Sequence, residues 1–249
     1  MMKISIITIV KDDPSGLQKT IESVLSQDYS EIEHIVVDGG SGKDTLSVIE
    51  RYQDKISKFI PGPDLGRYDG MNKGIKAATG DIVGLLHAGD VYCDKTIIEK
   101  VMTCFEGENR DAVYGDVEFF IGSGRIVRRW RAGTFQKRKV ISRGWVPPHL
   151  SLFLKRVLFE KYGYFRLDMS IAADYEWMLR FFLDENAVVD YFPHTLVLMS
   201  HGGESTRSVR NILKSNLQVA KARKIHDLPT STITFFNKIL WKITQLFFK

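Results

Sequence analysis

The chain has 249 residues, 44% of them hydrophobic, which is enough for one large α/β domain, alone or with an appendage. Its two cysteines, Cys93 and Cys104, form neither a metal-binding pair nor a disulfide framework, so we expect a reduced, cytosolic compartment. No stretch reaches the roughly 18 uncharged apolar residues of a membrane span, and the apolar run at residues 4–10 is too short for a signal core.

Strands and helices alternate over the first 110 residues, which is the order that a parallel sheet requires. Apolar runs predict four strands, at residues 3–10, 34–38, 58–60 and 82–86. Helices are expected near residues 45–52 and ahead of Gly80. Two more should begin at aspartate caps, one at Asp13 with Pro14 in its first position and the other at Asp94. The buried stripe of the first capped helix is expected to comprise Leu17, Ile21, Val24 and Leu25.

The pattern changes after residue 111, where shorter elements replace the regular alternation. Residues 117–121 and 125–131 flank a Gly-Ser-Gly turn and predict a β-hairpin. Other elements are predicted as strands at residues 151–154, 188–192 and 196–200, and as helices at residues 156–162, 173–183 and 206–226. The last helix should carry an apolar stripe that includes Ile212 and Leu213. The fold class is therefore α/β, with a mostly parallel sheet flanked by helices and with amphipathic helices at the C-terminus.

Acidic residues follow several predicted strands at one edge of the sheet. Asp12 follows the first strand, Asp38 ends the second and Asp90 follows the fourth. Because ligands of open α/β sheets bind at the carboxyl ends of the strands, these acids are candidates for a ligand site. On chemistry alone, an aspartate such as Asp38 is as often a turn or helix cap as a ligand contact.

Two ordered blocks carry a resemblance to a known enzyme family. The first is GRYDGMNKGIKAATGDIVGLLHAGD at residues 66–90, with Asp38 upstream of it. The second is IAADYEW at residues 171–177, preceded by Pro148-His149 and Gly163-Tyr164-Phe165. Together they resemble the family 2 glycosyltransferases, which have the GT-A fold and transfer a sugar from a nucleotide donor.

The resemblance places the nucleotide sugar at the first block. The family's acid that matches Asp38 holds the uracil ring, which favours UDP over GDP, and Asp12 is expected at the base or ribose. Three residues of the block, Arg67, Asp69 and Asn72, are expected at the nucleotide sugar too. Arg67 fits equally well as a solvated helix charge.

The departing nucleoside diphosphate must be neutralised by a divalent metal or by basic residues. The family usually presents an Asp-x-Asp motif at the end of the fourth strand, where this chain has His-Ala-Gly-Asp at residues 87–90. Asp90 is the acid that remains, and we expect it to bind Mn²⁺ or Mg²⁺ together with waters and substrate phosphates. His201 is a second candidate ligand, or else an exposed turn residue. The missing acid leaves metal dependence open.

The second block implies a catalytic base. The acceptor hydroxyl loses its proton as it attacks the anomeric carbon, and a positioned carboxylate can take that proton. The resemblance assigns this role to Asp174, for which a helix cap is the alternative. Glu176 is a weaker candidate, offset by about 200° around the helix. His149 is expected to shape the acceptor pocket.

Two segments predict an anionic partner. Eight lysines and arginines lie between Arg125 and Arg143, in a chain of formal net charge +5. No nucleic-acid module accompanies them, so we expect no nucleic acid and favour anionic lipid or a lipid-linked pyrophosphate, with a solvated hairpin as the alternative. Residues 230–249 place seven large apolar side chains on one helical stripe, which is typical of a helix lying on a membrane. The same stripe also fits packing on the body or on a second subunit of a homo-oligomer.

The resemblance implies an inverting hexosyltransferase of bacterial surface-polysaccharide assembly, and the two cationic or apolar segments place it at the inner face of the membrane as an expectation. Residues 1–204 would form the GT-A domain, divided near residue 110 into a donor half and an acceptor half, with residues 205–249 as an appendage. Transfer of a single sugar to a glycan or lipid-linked acceptor follows because the Gln-x-x-Arg-Trp block of processive synthases is missing. A sugar nucleotidyltransferase would need a Gly-rich basic loop after the first strand, which is also missing. A non-catalytic nucleotide-sugar-binding membrane adaptor stays open because the Asp-x-Asp motif is weakened.

Overall fold

The computed structural model describes residues 1–107, 109–122, 124–200 and 209–230. Its strands are β1 (Ile4–Val10), β2 (Ile32–Asp38), β3 (Lys58–Ile60), β4 (Ile82–Leu85), β5 (Val91–Tyr92), β6 (Ala112–Ile121), β7 (Arg125–Trp130), β8 (Leu152–Lys155) and β9 (Val189–Ser200). Its helices are α1 (Pro14–Leu25), α2 (Lys43–Arg51), α3 (Arg67–Ala77), α4 (Ile97–Phe105), α5 (Lys137–Arg143), α6 (Val157–Tyr162), α7 (Ala173–Phe182) and α8 (Val209–Ile225).

One sheet runs through the molecule in the order β3-β2-β1-β4-β8-β6-β9-β5, and β7 pairs with β6 outside this path. β1 to β4 are parallel to their neighbours within the first half. β8 pairs antiparallel with β4 and with β6, whereas β6 and β9 are parallel. The carboxyl ends of β1, β2 and β4 therefore meet at one edge, and the register places Val10 opposite Asp38.

The four predicted strands and the capped helix α1 of the first half form as the sequence predicts, whereas β5 was not expected. Asp13 caps α1 by accepting a hydrogen bond from the Gly16 N–H, and Pro14 occupies the first helical position. α3 packs closely on β1 because Gly74 has no side chain; a Cβ there would lie 2.3 Å from Ile7 Cγ2. The glycines of the motif thus bring the helix that carries Arg67 to the sheet edge.

Several predicted details are corrected by the structure. Leu25, the last residue of α1, is exposed instead of buried. Asp94 accepts hydrogen bonds from Thr96, which is the residue that precedes α4, so the helix begins later than expected. α5 was not expected, and the two strands predicted at residues 188–200 are one strand, β9.

Aromatic packing fixes α7 in the second half. Trp177 is fully buried and stacks on Phe159 with ring centroids 4.6 Å apart, while its indole N–H donates to the Gly163 carbonyl. Burying a large aromatic side chain stabilises a fold by about 1.5–3 kcal/mol, so this contact holds the start of α7 firmly. Because Asp174 lies on the same helix, the packing of Trp177 also fixes its position.

α8 packs on the body through Ala222 and Val219, of which Val219 belongs to the expected apolar stripe, and through polar contacts. Arg223 is 1% exposed and donates to the carbonyls of Val140 and Ile141 at the end of α5 and to the Tyr175 hydroxyl. Ile212 and Leu213 are exposed instead of buried. Residues 231–249, which contain the predicted membrane stripe, lie outside the described residues. Among the residues described, no helix is long and apolar enough to cross a membrane.

Candidate functional site

Asp38 and Asp12 meet at the carboxyl ends of β1 and β2. Asp38 is 2% exposed, and its carboxylate accepts hydrogen bonds from the N–H groups of Gly40 and Ser41. Asp12 has a positive φ of 51°, and its Oδ1 accepts from the Gly42 N–H at 2.9 Å. Such backbone strain costs about 1–3 kcal/mol and tends to occur at functional sites. Both carboxylates shape the turn after β2, and their contact with the nucleotide stays a prediction.

Asp64 is a residue that the sequence reasoning missed. A Cβ on Gly39 or Gly70 would lie 2.8 or 3.0 Å from Asp64 Oδ2, so both glycines make room for this carboxylate. Its Oδ1 accepts from the Gly66 N–H at 3.0 Å. Asp64 could have been selected from the sequence because it lies two residues before Gly66, the first glycine of the motif. Asp64 joins Asp38 at the same edge of the sheet.

The first two turns of α3 hold the three remaining donor-side candidates. Arg67 is half-buried at the first helical position. Asp69 accepts from the Leu65 N–H and pairs with Lys73 at 3.0 Å; the Leu65 contact lowers the pKa of Asp69. Asn72 is buried, and its amide exchanges two hydrogen bonds with the backbone of Phe165, at 2.9 and 3.0 Å. Asp69 and Asn72 therefore have structural partners, and their contact with the nucleotide sugar stays a prediction.

Asp90 lies in the turn after β4. The Thr20 hydroxyl holds this turn through the carbonyls of His87 and Asp90. Asp90 is 7% exposed, and its Oδ1 accepts from the Ser200 N–H at 2.9 Å. Burial, reinforced by the nearby charge of Asp13, raises the pKa of Asp90 to about 7. The carboxyl is therefore partly protonated at neutral pH.

The described residues do not by themselves fit a divalent cation. No group of three or more His, Cys, Asp or Glu side chains among them is arranged to hold a metal ion. Asp90 is buried and already accepts a backbone hydrogen bond. His201, the other predicted ligand, lies outside the described residues. A metal site here would need ligands from the substrate or from outside the described residues.

Asp174 lies at the second position of α7, where the second half of the fold meets α3. Its side chain is 20% exposed. Oδ1 lies 2.8 Å from the Tyr68 hydroxyl, and Oδ2 lies 3.3 Å from His149 Nδ1. The residue in the capping position is Ala172, so Asp174 is not the helix cap. The carboxylate is oriented from two sides and remains accessible, which is the geometry a general base needs.

Two histidines border this carboxylate. The rings of His87 and His149 lie 5.6 Å apart. Burial, with a smaller contribution from the charge of Arg67, lowers the pKa of both, although Asp174 opposes the effect at His149. Both ring nitrogens of His87 are buried without a hydrogen-bond partner among the described residues. The sequence reasoning did not select His87 or Tyr68, although both lie within the first block.

Glu176 is excluded as the base by its position. It is buried on the far side of α7 and pairs with Arg180 at 2.8 Å and with His226 at 3.0 Å. Both carboxylate oxygens are therefore engaged away from Asp174. Because the two acids are about 200° apart around the helix, Asp174 faces Tyr68 and His149 whereas Glu176 faces Arg180 and His226.

The basic hairpin is less cationic than its sequence indicates. Arg129 pairs with Glu118 at 3.0 Å, and Arg131 pairs with Asp116 at 3.1 Å. Arg128 lies over two aromatic rings of the same hairpin. Because internal acids neutralise part of its charge, the hairpin is a weaker candidate for an anionic partner.

Comparison with known proteins identifies the relatives of this chain. The model of the family described as "Glycosyl transferase family 2" matches residues 5–186. An uncharacterized glycosyltransferase of Mycobacterium tuberculosis (strain H37Rv) is 37% identical over 183 residues, which cover 71% of this chain and 68% of that protein.

Solved structures show the same fold. Staphylococcus aureus TarS 1-349 in complex with UDP-GlcNAc has a TM-score of 0.66 at 18% identity and covers 89% of this chain and 66% of that one. The mannosyltransferase PcManGT of Pyrobaculum calidifontis, in complex with GDP-Man and Mn²⁺, has a TM-score of 0.66 at 15% identity and covers 98% and 70%. The predicted GT-A fold is confirmed.

Proposed function

The chain belongs to glycosyl transferase family 2, and we propose that this enzyme is an inverting hexosyltransferase that moves one sugar from a UDP-sugar to a glycan or lipid-linked acceptor. The observation that carries the proposal is the placement of Asp174. An accessible carboxylate, oriented by Tyr68 and by His149, stands where the donor half and the acceptor half meet.

The reaction is a single displacement. An acceptor hydroxyl attacks the anomeric carbon while its proton passes to Asp174. The bond between that carbon and the phosphate oxygen breaks, and the nucleoside diphosphate leaves with the electron pair. Attack from the face opposite the leaving group inverts the anomeric configuration. In this proposal the Tyr68 hydroxyl holds Oδ1, and Oδ2, which lies 3.3 Å from His149 Nδ1, takes the proton.

The donor is proposed to lie along the carboxyl ends of β1, β2 and β4. Asp12, Asp38 and Asp64 supply acceptors for the donor groups of a base and ribose. Arg67 supplies positive charge for the diphosphate at the start of α3. A bound UDP-sugar or GDP-sugar in the neighbouring structures supports a nucleoside diphosphate sugar as the class. UDP is our choice because of Asp38.

A divalent cation is kept as a proposal. Mn²⁺ or Mg²⁺ would be held by Asp90 together with diphosphate oxygens, since these ions often use one carboxylate plus substrate phosphates. One neighbour binds Mn²⁺, which supports the class of metal. Such a cation would neutralise the diphosphate when bound.

The exposed face of α8 is proposed to contact a membrane that carries the acceptor. Leu213 and Leu217 are 58% and 72% exposed. They lie among the exposed cations Arg210, Lys214 and Lys224, on a helix that carries no acidic residue. Apolar side chains bordered by cations fit an anionic bilayer. We propose that this face, with residues 230–249, places the enzyme at the cytoplasmic face of a membrane in surface-polysaccharide assembly.

Co-sedimentation with vesicles containing anionic lipid tests the membrane contact. The Leu213→Ser, Leu217→Ser double variant should sediment less than the wild type, and high salt should weaken the binding of the wild type. Ile212→Ser is the matched control, since Ile212 is also exposed but lies about 140° around the helix from Leu217. Equal sedimentation of all three proteins would place the contact elsewhere.

A screen of UDP- and GDP-sugars, with and without Mn²⁺, tests the function itself. A true donor at 100 times its dissociation constant should stabilise the fold by about 2.7 kcal/mol. With that donor, Asp174→Asn should reduce transfer by roughly 10² or more while donor binding stays near normal. NMR of the product should show the inverted anomer. Near-normal transfer by a folded Asp174→Asn variant would place the base elsewhere.

The screen also separates the two alternatives. A sugar nucleotidyltransferase would consume a nucleoside triphosphate and a sugar phosphate. A non-catalytic adaptor would bind the donor without transfer to any acceptor. Release of UDP that depends on an added acceptor is expected only of a glycosyltransferase.

A further inference from the structure

Gln218 of α8 contacts the segment that leads into α7. Its side-chain Oε1 accepts hydrogen bonds from the N–H groups of Ile171 at 2.9 Å and Ala172 at 3.2 Å, and its Nε2 donates to Ser170 Oγ at 3.2 Å. The capping position of α7 is an alanine, which offers no side-chain acceptor. Gln218, 46 positions along the chain from Ala172, therefore binds the backbone N–H groups at the start of α7.

This contact continues to the catalytic carboxylate. The Ile171 carbonyl accepts from the Tyr68 hydroxyl at 2.6 Å, and the same hydroxyl lies 2.8 Å from Asp174 Oδ1. Ile171 is thus held at its N–H by Gln218 and at its carbonyl by Tyr68. A shift of the Ile171 backbone would change both the orientation of Tyr68 and the start of the helix that carries Asp174.

α8 has other contacts that keep it in place. Arg223 binds the end of α5, His226 pairs with Glu176, and Lys221 pairs with Asp168 at 2.8 Å. Loss of the Gln218 side chain alone should therefore leave α8 attached. The contact can be removed without removing the helix, which makes its effect measurable.

We propose that Gln218 is a positioning residue for the base, acting through Ile171, so that α8 supports the site although the family match ends at residue 186. The proposal rests on the proposed function of Asp174. Gln218 touches no reacting atom in this scheme. It fixes the backbone that directs Tyr68 and Asp174 toward the acceptor hydroxyl.

The test compares Gln218→Leu with Gln218→Glu in the full chain. Leucine has a similar size but accepts no hydrogen bond, whereas glutamate keeps an acceptor for both N–H groups. Misplacement of a catalytic group by about 1 Å can cost roughly 10²-fold in rate, so we expect kcat of Gln218→Leu to fall by about 10- to 100-fold with the donor KM unchanged. Gln218→Glu should stay within about threefold of the wild type in kcat, because it retains the acceptor.

Hydrogen–deuterium exchange gives a readout that does not depend on transfer. The peptide covering residues 170–174 should exchange faster in Gln218→Leu than in the wild type, and at the wild-type rate in Gln218→Glu. Unchanged exchange or unchanged kcat in Gln218→Leu would overturn the proposal, as would a Gln218→Glu variant as slow as Gln218→Leu. If the wild type transfers no sugar but exchange changes as expected, the proposed function fails and the contact made by Gln218 is upheld.

Discussion

Replacement of Asp90 by asparagine should stabilise the protein above neutral pH. The folded state raises the pKa of this carboxyl from its ordinary value of 3.8 to about 7, chiefly because it is buried. The folded protein thus holds the proton more tightly than the unfolded chain, and stability is lost as the pH rises through this range. At about 1.4 kcal/mol per pH unit, the loss reaches roughly 4 kcal/mol by pH 8. Asparagine keeps an oxygen for the Ser200 N–H and does not ionise.

Urea unfolding between pH 4 and pH 8 measures this difference. Asp90→Asn should be close to the wild type in unfolding free energy at pH 4 and more stable at pH 8. Asp94→Asn is the matched control, and its effect should have the opposite sign. Hydrogen bonds from Thr96 lower the pKa of Asp94, so loss of the Asp94 carboxylate should destabilise the protein at high pH. A pH-independent difference between Asp90→Asn and the wild type would refute the reasoning. If Asp90 binds Mn²⁺, the cation should stabilise the wild type increasingly as the pH rises and should not stabilise Asp90→Asn.

Three further substitutions test contacts between parts of the chain that are distant in sequence. Tyr68→Phe keeps the ring but removes the hydroxyl, so transfer should fall by about tenfold or more while donor affinity, measured by calorimetry, is unchanged. Asn72→Leu leaves the Phe165 N–H and carbonyl unpaired and should cost about 2–4 kcal/mol in urea unfolding. Substitution of its half-buried neighbour, Lys73→Ala, removes only the ion pair with Asp69 and the contact with the Pro63 carbonyl and should cost less, about 1 kcal/mol. Arg223→Met removes the hydrogen bonds to the carbonyls of Val140 and Ile141, of which the Val140 carbonyl keeps the Gly144 N–H as a donor, and should cost about 1–3 kcal/mol in the same assay. A neutral result for Asn72→Leu or Arg223→Met would show that water replaces the lost partner.

The first half of the fold was predictable because its signals are local. β1, β2 and β3 pair in parallel, and apolar runs with their caps mark each element.

β9 shows why the second half was harder to predict. Pro193 cannot donate to a strand ladder, so the sequence predicts a break there. The structure keeps one strand by shifting the register with β6 between Tyr191 and Thr195, which skips the proline.

The sequence proposed the acids of the candidate site but not their contacts with other elements. Asp38, Asp90 and Asp174 were selected through the family resemblance together with their places at strand ends and at a helix start, and their roles stay predictions. The sequence did not indicate that Tyr68 contacts Asp174, since these residues are 106 positions apart. The contact of Gln218 with Ile171 could not be predicted for the same reason. Contacts of this kind follow from the packing of whole elements, which no short pattern encodes.

α3 explains why residues 66–90 are so informative. Its Tyr68 and Asn72 lie one helical turn apart on one face, and both cross to the acceptor half: Tyr68 to Asp174, and Asn72 to the backbone of Phe165. The same helix begins with Arg67, the proposed contact of the diphosphate. In the proposed reaction, α3 therefore sets the distance between the donor and the base. Because a general base must lie within hydrogen-bond reach of the attacking hydroxyl, small displacements of α3 should affect transfer more than they affect donor binding.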